Sequence, residues 1–350
     1  MSDWARPPGG NDALTDVAGL RVGHARVAGE RALSGTTVVL APEGGAVAAV
    51  DVRGGGPGTR ETDALDPRNL VERIEAVVLT GGSAYGLDSA SGVMAWLEER
   101  GRGVPVGGPG QVVPVVPAAC LFDLGRGGQW RARPDAATGR AAIEDAARGP
   151  LGAPVAMGNT GAGTGAVVGG LKGGVGTASV FLPGPGITVA ALVAVNAVGS
   201  AVDPLTGVLY GRYFEGAVRP PGPAVHARAA RRLAEAVAAS GPQPLNTTLA
   251  VVGTDAALTR AQAQKLAGTA HDGIARAVRP VHLLNDGDTV FTLATGAVEP
   301  AAGNPLALND VLAAGADCVS RAIVKAVMAA ESVSGPGGVF PSYRELYGIN

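Results

Sequence analysis

Two adjacent hydroxyl residues, Thr247 and Thr248, open an apolar, β-branched run that predicts a buried strand over residues 247–252. A connector with two prolines leads into them and ends at Asn246. A threonine hydroxyl becomes a useful nucleophile only when a base activates it. A threonine at the start of a strand is ordinarily a structural residue, so the local sequence alone does not indicate a nucleophile here.

A pair of carboxylates forms a second group with possible chemistry. Asp286 and Asp288 are spaced two apart, so in an extended segment both side chains would point to one face. The alternative is an Asx-turn with Gly287, which such a sequence favours equally. The residues alone leave both interpretations open.

Two further polar residues lie in unusual surroundings. Asn196 lies inside an apolar run that predicts a strand, and a buried amide there needs hydrogen-bond partners. Lys172 is close to glycines on both sides, so it could approach a site and stabilise negative charge. The alternatives are a structural amide for Asn196 and a solvated loop lysine for Lys172.

Glycine-rich segments invite a nucleotide-binding interpretation that the motifs do not support. Residues 158–176 contain neither a G-x-G-x-x-G nor a G-x-x-x-x-G-K-[ST] pattern. Residues 81–85 resemble a nucleophile elbow but miss the G-x-S-x-G spacing. The four histidines are scattered, which argues against a Ser-His-Asp triad. We therefore predict core or surface histidines and no metal site.

Bulk composition excludes several classes of protein. The 350 residues are 46% hydrophobic and carry a formal net charge of −2, with no basic cluster, so a nucleic-acid partner is disfavoured. The first twelve residues are polar, and no apolar run is long enough to span a bilayer. The two cysteines do not suggest a disulfide scaffold. We expect a soluble cytoplasmic protein without a membrane partner.

Periodicity predicts a mixture of strands and helices, hence an α+β or α/β fold. Residues 1–13 are expected to form a loose tail. Predicted strands cover residues 20–27, 36–40, 46–52, 76–80, 112–116, 120–124, 188–197, 247–252 and 290–295. Predicted helices cover residues 87–100, 136–148, 225–240, 256–277 and a long part of 306–331.

Several sequence blocks, in one order, carry a family resemblance. They include TDVAGLRVGH at 15–24, VRGGGPGTRETD at 52–63, LTGGSAYGLD at 79–88, GNTGAGTG at 158–165, NTTL at 246–249 and DGDT at 286–289. With these blocks the chain resembles the L-aminopeptidase/D-esterase family, which includes β-peptidyl aminopeptidases and the nylon-oligomer endo-hydrolase. The resemblance runs from about residue 14 to about residue 332.

This resemblance implies a four-layer αββα sandwich, similar to Ntn hydrolases but with different connectivity. It also implies one hydrolase domain over 1–350 that cuts itself between Asn246 and Thr247, giving a large chain 1–246 and a small chain 247–350. Processed heterodimers of the family associate further, often as tetramers. No cofactor is expected.

The resemblance also implies roles for individual residues. Thr247 would be the nucleophile, with its own α-amine as base, because the pKa of an unperturbed α-amine is about 8. Asp286 and Asp288 would lie beside this amine and hydroxyl. Asn196 would help to form an oxyanion hole, and Lys172 would stabilise charge.

Departures from the family pattern affect the expected substrate. Phe122 stands where some members have an oxyanion-stabilising tyrosine, and we take it and Tyr85 as candidate substrate-binding residues. The Asn-Thr junction with Asp-x-Asp is closer to the nylon-oligomer enzyme than to aminopeptidases with Ser-x-Glu. We expect a hydrolase of small peptides, amino-acid amides or esters, or short β- or ω-amino-acid oligomers. The alternatives are ornithine-acetyltransferase-like acyl transfer and a non-catalytic small-molecule-binding protein.

Overall fold

The computed structural model describes residues 10–241, 245–300 and 306–349. Most of the predicted tail therefore lies outside the described residues. Its described end is held in place: Asp12 accepts a hydrogen bond from the Ser179 backbone N–H at 2.8 Å and forms ion pairs with Arg321 and Lys325. Asp12 thus ties the chain to the body of the fold.

Strands and helices are mixed along the described chain. The strands are β1 (Arg21–Arg26), β2 (Gly35–Leu40), β3 (Ala46–Val52), β4 (Thr59–Arg60), β5 (Arg73–Ile74), β6 (Ala76–Thr80), β7 (Val104–Pro105), β8 (Val112–Val113), β9 (Ala118–Cys120), β10 (Val167–Val168), β11 (Leu171–Lys172), β12 (Gly174–Leu182), β13 (Ile187–Val195), β14 (Leu249–Ala256), β15 (Thr289–Val298), β16 (Val333–Gly335) and β17 (Gly338–Phe340). The helices are α1 (Ser83–Gly86), α2 (Ser89–Glu98), α3 (Ala136–Arg148), α4 (Pro223–Ser240), α5 (Arg260–Ala277), α6 (Leu308–Ala329) and α7 (Tyr343–Tyr347).

Two large sheets form the centre of the fold. One has the strand order β1-β2-β6-β9-β4, and the other has the order β12-β13-β14-β15-β3-β5. In the second sheet, β14 pairs antiparallel with β13 and parallel with β15. Strand β14 therefore lies inside its sheet, with a hydrogen-bonded neighbour on each side.

Alternating side chains of β14 show how the layers stack. Leu249 and Val251 pack into the core between the two sheets, together with residues of β6 such as Leu79. Ala250 and Val252 point the other way, into the core shared with helices α5 and α6. Helices α2 and α3 cover the outer face of the first sheet through a third core. These layers confirm the predicted four-layer αββα sandwich.

Some predicted elements match and others differ for identifiable reasons. The strand over 76–80 and the helix over 136–148 have their predicted bounds. The helix predicted from residue 256 begins instead at Arg260, because β14 continues through Ala256 and the Thr259 side chain caps the helix. The predicted helix 87–100 is observed as the shorter α2, Ser89–Glu98, and a separate short helix, α1, precedes it at Ser83–Gly86. The strand predicted over 120–124 was wrong, since β9 ends at Cys120.

Strand β12 was not predicted, because it begins inside the glycine-rich segment 158–176. A Cβ atom at Gly176 would lie 2.0 Å from the Ala322 carbonyl oxygen on α6. Glycine here allows a helix backbone to approach a sheet closely, rather than forming a loop. In the described part of the chain, no helix combines the length and apolar character that a membrane crossing requires.

Candidate active site

The Asn246–Thr247 peptide bond is buried just before β14, and both residues are less than 5% exposed. The Thr247 hydroxyl donates a hydrogen bond to the carbonyl oxygen of Asn246 at 2.6 Å. The backbone N–H of Gly287 donates to the same oxygen at 3.2 Å. A single backbone carbonyl thus has the hydroxyl and an amide N–H directed at it.

The Thr247 hydroxyl occupies the space that a side chain at position 287 would need, and the residue there is glycine. A Cβ atom at position 287 would lie 2.7 Å from Thr247 Oγ1 and 2.9 Å from the Gly56 carbonyl oxygen. Gly54 is equally constrained, since its Cβ would lie 2.4 Å from the Asp286 carbonyl oxygen. The glycine loop that follows β3 therefore supports the Asp286–Asp288 backbone at close range.

Each carboxylate of the predicted pair binds its own backbone donor. Asp288 Oδ1 accepts the Thr248 N–H at 2.7 Å, beside Thr247. Asp286 Oδ2 accepts the Leu283 N–H at 2.9 Å, so this bond runs back along the loop. Burial raises the pKa of Asp286, and the neighbouring Asp288 charge raises it further. The two carboxylates fix the start of β14 and the loop opposite it.

His282 is a site residue that no sequence pattern singled out. Its Nδ1 lies 2.7 Å from Asp288 Oδ2, so one carboxylate links a histidine to the Thr248 backbone. The His271 ring packs edge-on against His282 at 4.9 Å between centroids. Burial lowers the pKa of His271 to about 4, which keeps this second ring neutral. The available signal was the place of His282 six residues before Asp288.

Arg126, also missed, connects three parts of the site from a fully buried position. Its Nη2 donates to the Asn246 side-chain oxygen at 2.8 Å. Its Nη1 donates to the Gly165 carbonyl oxygen at 2.7 Å and to Asn196 Oδ1. Burial lowers the pKa of Arg126 to about 10, so the group remains a cation at neutral pH. Its partners come from distant segments, and no local pattern predicts them.

Asp123 supplies negative charge close to this arginine. It is buried and accepts the Gly82 backbone N–H at 2.7 Å. Burial raises the pKa of Asp123 to about 6, although the charges of Arg126 and Lys172 oppose that shift. Residues 121–124 leave strand β9 to form this turn, which explains why the predicted strand does not continue.

The structure brings Asn196 into the site with its amide well satisfied. Its side-chain oxygen accepts the Val167 N–H at 3.0 Å as well as the arginine donor. Its Nδ2 donates to the Phe122 carbonyl oxygen at 3.4 Å, and its own carbonyl accepts the Thr248 hydroxyl at 3.4 Å. Asn196 thus lies against the start of β14, and its oxyanion role stays a prediction.

Lys172 is fully buried rather than a solvated loop lysine. Its Nζ donates to the carbonyl oxygens of Gly163, Ala166 and Gly173 at 2.9–3.0 Å. An ammonium group has three donors, so these bonds use all of them. Burial lowers the pKa of Lys172 well below its usual value, and the Arg126 charge adds to this effect. The contacts hold the glycine-rich segment together, while charge stabilisation during catalysis stays a prediction.

The two candidate substrate-binding residues occupy different positions. Phe122 lies next to the site through its carbonyl contact with Asn196, and its ring packs edge-on against Trp130 at 6.2 Å. Tyr85 is 56% exposed on α1, with the Arg133 guanidinium 3.8 Å from its ring centroid. Substrate contact by either residue stays a prediction.

Neither cysteine is placed as a reactive thiol. Burial raises the pKa of both Cys120 and Cys318 to about 12, so neither forms a thiolate readily. Over residues 10–241, 245–300 and 306–349, no cluster of three or more His, Cys, Asp or Glu side chains is arranged to hold a metal ion.

Comparison with known proteins extends over nearly the whole chain. The profile of Peptidase family S58 matches residues 12–340. An uncharacterized aminopeptidase of Mycobacterium tuberculosis is 48% identical over 353 aligned positions, which cover 96% of this chain and 98% of that protein. A 6-aminohexanoate-oligomer endohydrolase of a Kocuria species is 29% identical, and the match covers 81% of this chain and 75% of that protein.

Solved structures show the same fold. A β-aminopeptidase from a Burkholderia species superposes with a TM-score of 0.73 at 25% identity, covering 99% of this chain and 94% of that one. The L-aminopeptidase D-Ala-esterase/amidase from Ochrobactrum anthropi, described as a variant of the Ntn-hydrolase fold, gives a TM-score of 0.70 at 22% identity. That match covers 99% of this chain and 98% of the other.

Proposed function

The chain belongs to Peptidase family S58 as an aminopeptidase-like hydrolase, and on that premise we propose that it cleaves its own Asn246–Thr247 bond and then uses Thr247 as an amino-terminal nucleophile. One observation carries this proposal. The Thr247 hydroxyl and the Gly287 N–H converge on the carbonyl of the bond that would break.

Self-cleavage is an acyl transfer within the chain. The Thr247 oxygen attacks the Asn246 carbonyl carbon, and negative charge develops on the oxygen that already accepts the Gly287 N–H. The C–N bond then breaks, the hydroxyl proton passes to the leaving nitrogen, and water hydrolyses the resulting ester. Arg126 supports this step by holding the Asn246 side chain, which fixes the direction of the carbonyl.

After cleavage, Thr247 carries both a hydroxyl and a free α-amine. An α-amine with a pKa of about 8 is partly neutral near pH 7 and can accept the hydroxyl proton. Asp288 accepts a hydrogen bond from the backbone N–H of Thr248, the residue after Thr247. This bond holds the start of β14 in place. The hydroxyl attacks the substrate carbonyl, an amine leaves, and water releases the acyl group.

This chemistry fits substrates in which a small amino-terminal residue is joined through its carbonyl group to an amine. The names of the similar proteins, an aminopeptidase, a β-aminopeptidase and a 6-aminohexanoate-oligomer endohydrolase, support amide bonds of α-, β- or ω-amino acids. Phe122 and Tyr85 are the candidate contacts for the substrate.

A panel of L-, D-, β- and ω-aminoacyl p-nitroanilides tests the proposal. We expect the purified protein to release p-nitroaniline from at least one class, and the Thr247→Ala variant to lose this activity by at least about 10³-fold, as removal of a nucleophile does. Hydrolysis retained by the alanine variant would show that another residue is the nucleophile.

A further inference from the structure

A cavity of about 500 Å³ lies against the Asn246–Thr247 junction. Asn246 forms part of its wall, and most of the remaining surface is apolar. Its apolar wall residues come from five separate segments, namely Val167, Ala197, Val198, Val237, Pro280 and Phe340. A volume of this size with a mainly apolar lining is typical of a small-molecule site.

The place of Asn246, directly before Thr247 in the chain, indicates which part of a substrate would lie in this cavity. In self-cleavage, Asn246 is the acyl group that is transferred to Thr247. In turnover, the acyl group of the substrate becomes bonded to the same oxygen and must occupy the same region. A cavity whose wall includes Asn246 therefore lies on the acyl side of the reacting bond.

Charge limits which acyl groups fit. Arg279, an exposed cation, is the charged residue in the described lining, and no carboxylate is present there. An ammonium group placed against this apolar wall would lose part of its water without gaining a counter-ion, and that loss is costly. A hydrocarbon chain instead gains free energy from every methylene that it buries.

We propose that this cavity binds the apolar side chain of an α- or β-aminoacyl group and disfavours the terminal ammonium of an ω-aminoacyl chain. This inference rests on the proposed function and narrows its substrate class. Helix α4 contributes Val237 to the cavity wall, and this side chain packs closely on Gly170, where a Cβ atom would lie 2.4 Å from Val237 Cγ2.

Val237 offers a way to change the cavity without disturbing a buried core, since it is 46% exposed. We expect wild-type kcat/KM for leucyl and β-homoleucyl p-nitroanilides to exceed that for the glycyl and 6-aminohexanoyl compounds by roughly tenfold or more. Val237→Trp should reduce the leucyl-to-glycyl ratio by about tenfold, whereas Val237→Ala should shift the preference towards phenylalanyl.

Ala234→Trp is the matched control, because Ala234 is exposed on the same helix and does not line the cavity. It should leave all ratios unchanged. A wild-type preference for the 6-aminohexanoyl substrate would overturn the inference. Unchanged kcat/KM ratios in both Val237 variants would also overturn it. Self-cleavage and hydrolysis by the same samples would show that the proposed function still holds.

A binding measurement tests the cavity even if no hydrolysis is seen. The full-length Thr247→Ala chain should bind hexanamide more tightly than 6-aminohexanamide by calorimetry, and adding Val237→Trp should weaken hexanamide binding by about tenfold or more. Equal binding of the two amides, or binding unaffected by Val237→Trp, would contradict the assignment of the cavity.

Discussion

Gly287 shows how a single missing side chain shapes the candidate site. We expect Gly287→Ala to slow self-cleavage by at least about 10²-fold, because its Cβ would lie 2.7 Å from Thr247 Oγ1 and would displace the hydroxyl. Time-resolved denaturing mass spectrometry measures the rate. Gly184→Ala is the control, since a Cβ there meets no atom within 4 Å. Normal cleavage in Gly287→Ala would mean that the hydroxyl does not react from this position.

Asp123 links the site to stability through pH. The fold raises the pKa of Asp123 from 3.8 to about 6, so folding favours its protonated form. Its contribution to the free energy of unfolding is fully present below about pH 4 and is lost as pH rises through about 6, a loss of about 3 kcal/mol. We therefore expect Asp123→Asn to be more stable than wild type at pH 8 and similar at pH 4, measured by urea unfolding. Equal stability of the two proteins at both pH values would show that the buried carboxyl does not control this dependence.

At the residue scale, sequence and family resemblance predicted residues that the fold brings close to one another. Asn246, Thr247, Asn196 and the Asp286–Asp288 pair do lie together in the structure. Arg126 was missed because its partners on Gly165, Asn196 and Asn246 are distant in sequence. Only the folded chain reveals why an arginine is buried there.

At the scale of elements, the loop before β15 depends on one histidine. His282 has a φ of 58°, and both its ring and its backbone N–H bind Asp288 Oδ2, so His282→Gly removes the side-chain donor without adding backbone strain. We expect the glycine variant to lower the free energy of unfolding by roughly 1.5–3 kcal/mol and to slow self-cleavage, because a hydrogen bond to a charged group is lost.

His282→Asn is the matched variant, since asparagine tolerates a positive φ and retains a side-chain N–H. It should recover part of the self-cleavage rate. Equal cleavage rates in wild type and the glycine variant would show that the Asp288 contact does not position the junction.

Elements with a regular apolar pattern were predicted correctly. Prediction failed where glycines allow two elements to pack closely. Helix α3 and strand β6 have regular apolar patterns, and both were predicted with their observed bounds. Strand β12 was missed because Gly174 and Gly176 suggested a loop, whereas Gly176 admits helix α6. Such a contact depends on two segments far apart in the chain.

At the scale of the whole molecule, the predicted cleavage divides a sheet and not two domains. Strands β14 and β15 follow the junction, while their neighbours β13 and β3 precede it. We expect residues 1–246 and 247–350 to elute as one species in native size-exclusion chromatography after cleavage, because separation would break two strand pairings and expose the apolar core. Fragments that separate without denaturant would contradict this topology.

Local sequence patterns predict the fold class of this chain, but they do not predict the order of its layers. Mixed strand and helix patterns indicated α+β or α/β, but the four-layer arrangement followed from the family resemblance. Pairing between β3 and β15 joins residues more than two hundred positions apart, and no local pattern specifies such a contact.

Denaturing mass spectrometry of the purified full-length protein and its Thr247→Ala variant, after incubation, tests directly whether Thr247 cuts the chain. We expect the wild-type chain to give two fragments, 1–246 and 247–350, with Thr247 as the new amino terminus, while the variant stays intact. A wild-type chain that remains whole, or a variant that is cut at the same bond, would refute the assignment of Thr247 as the self-cleaving nucleophile.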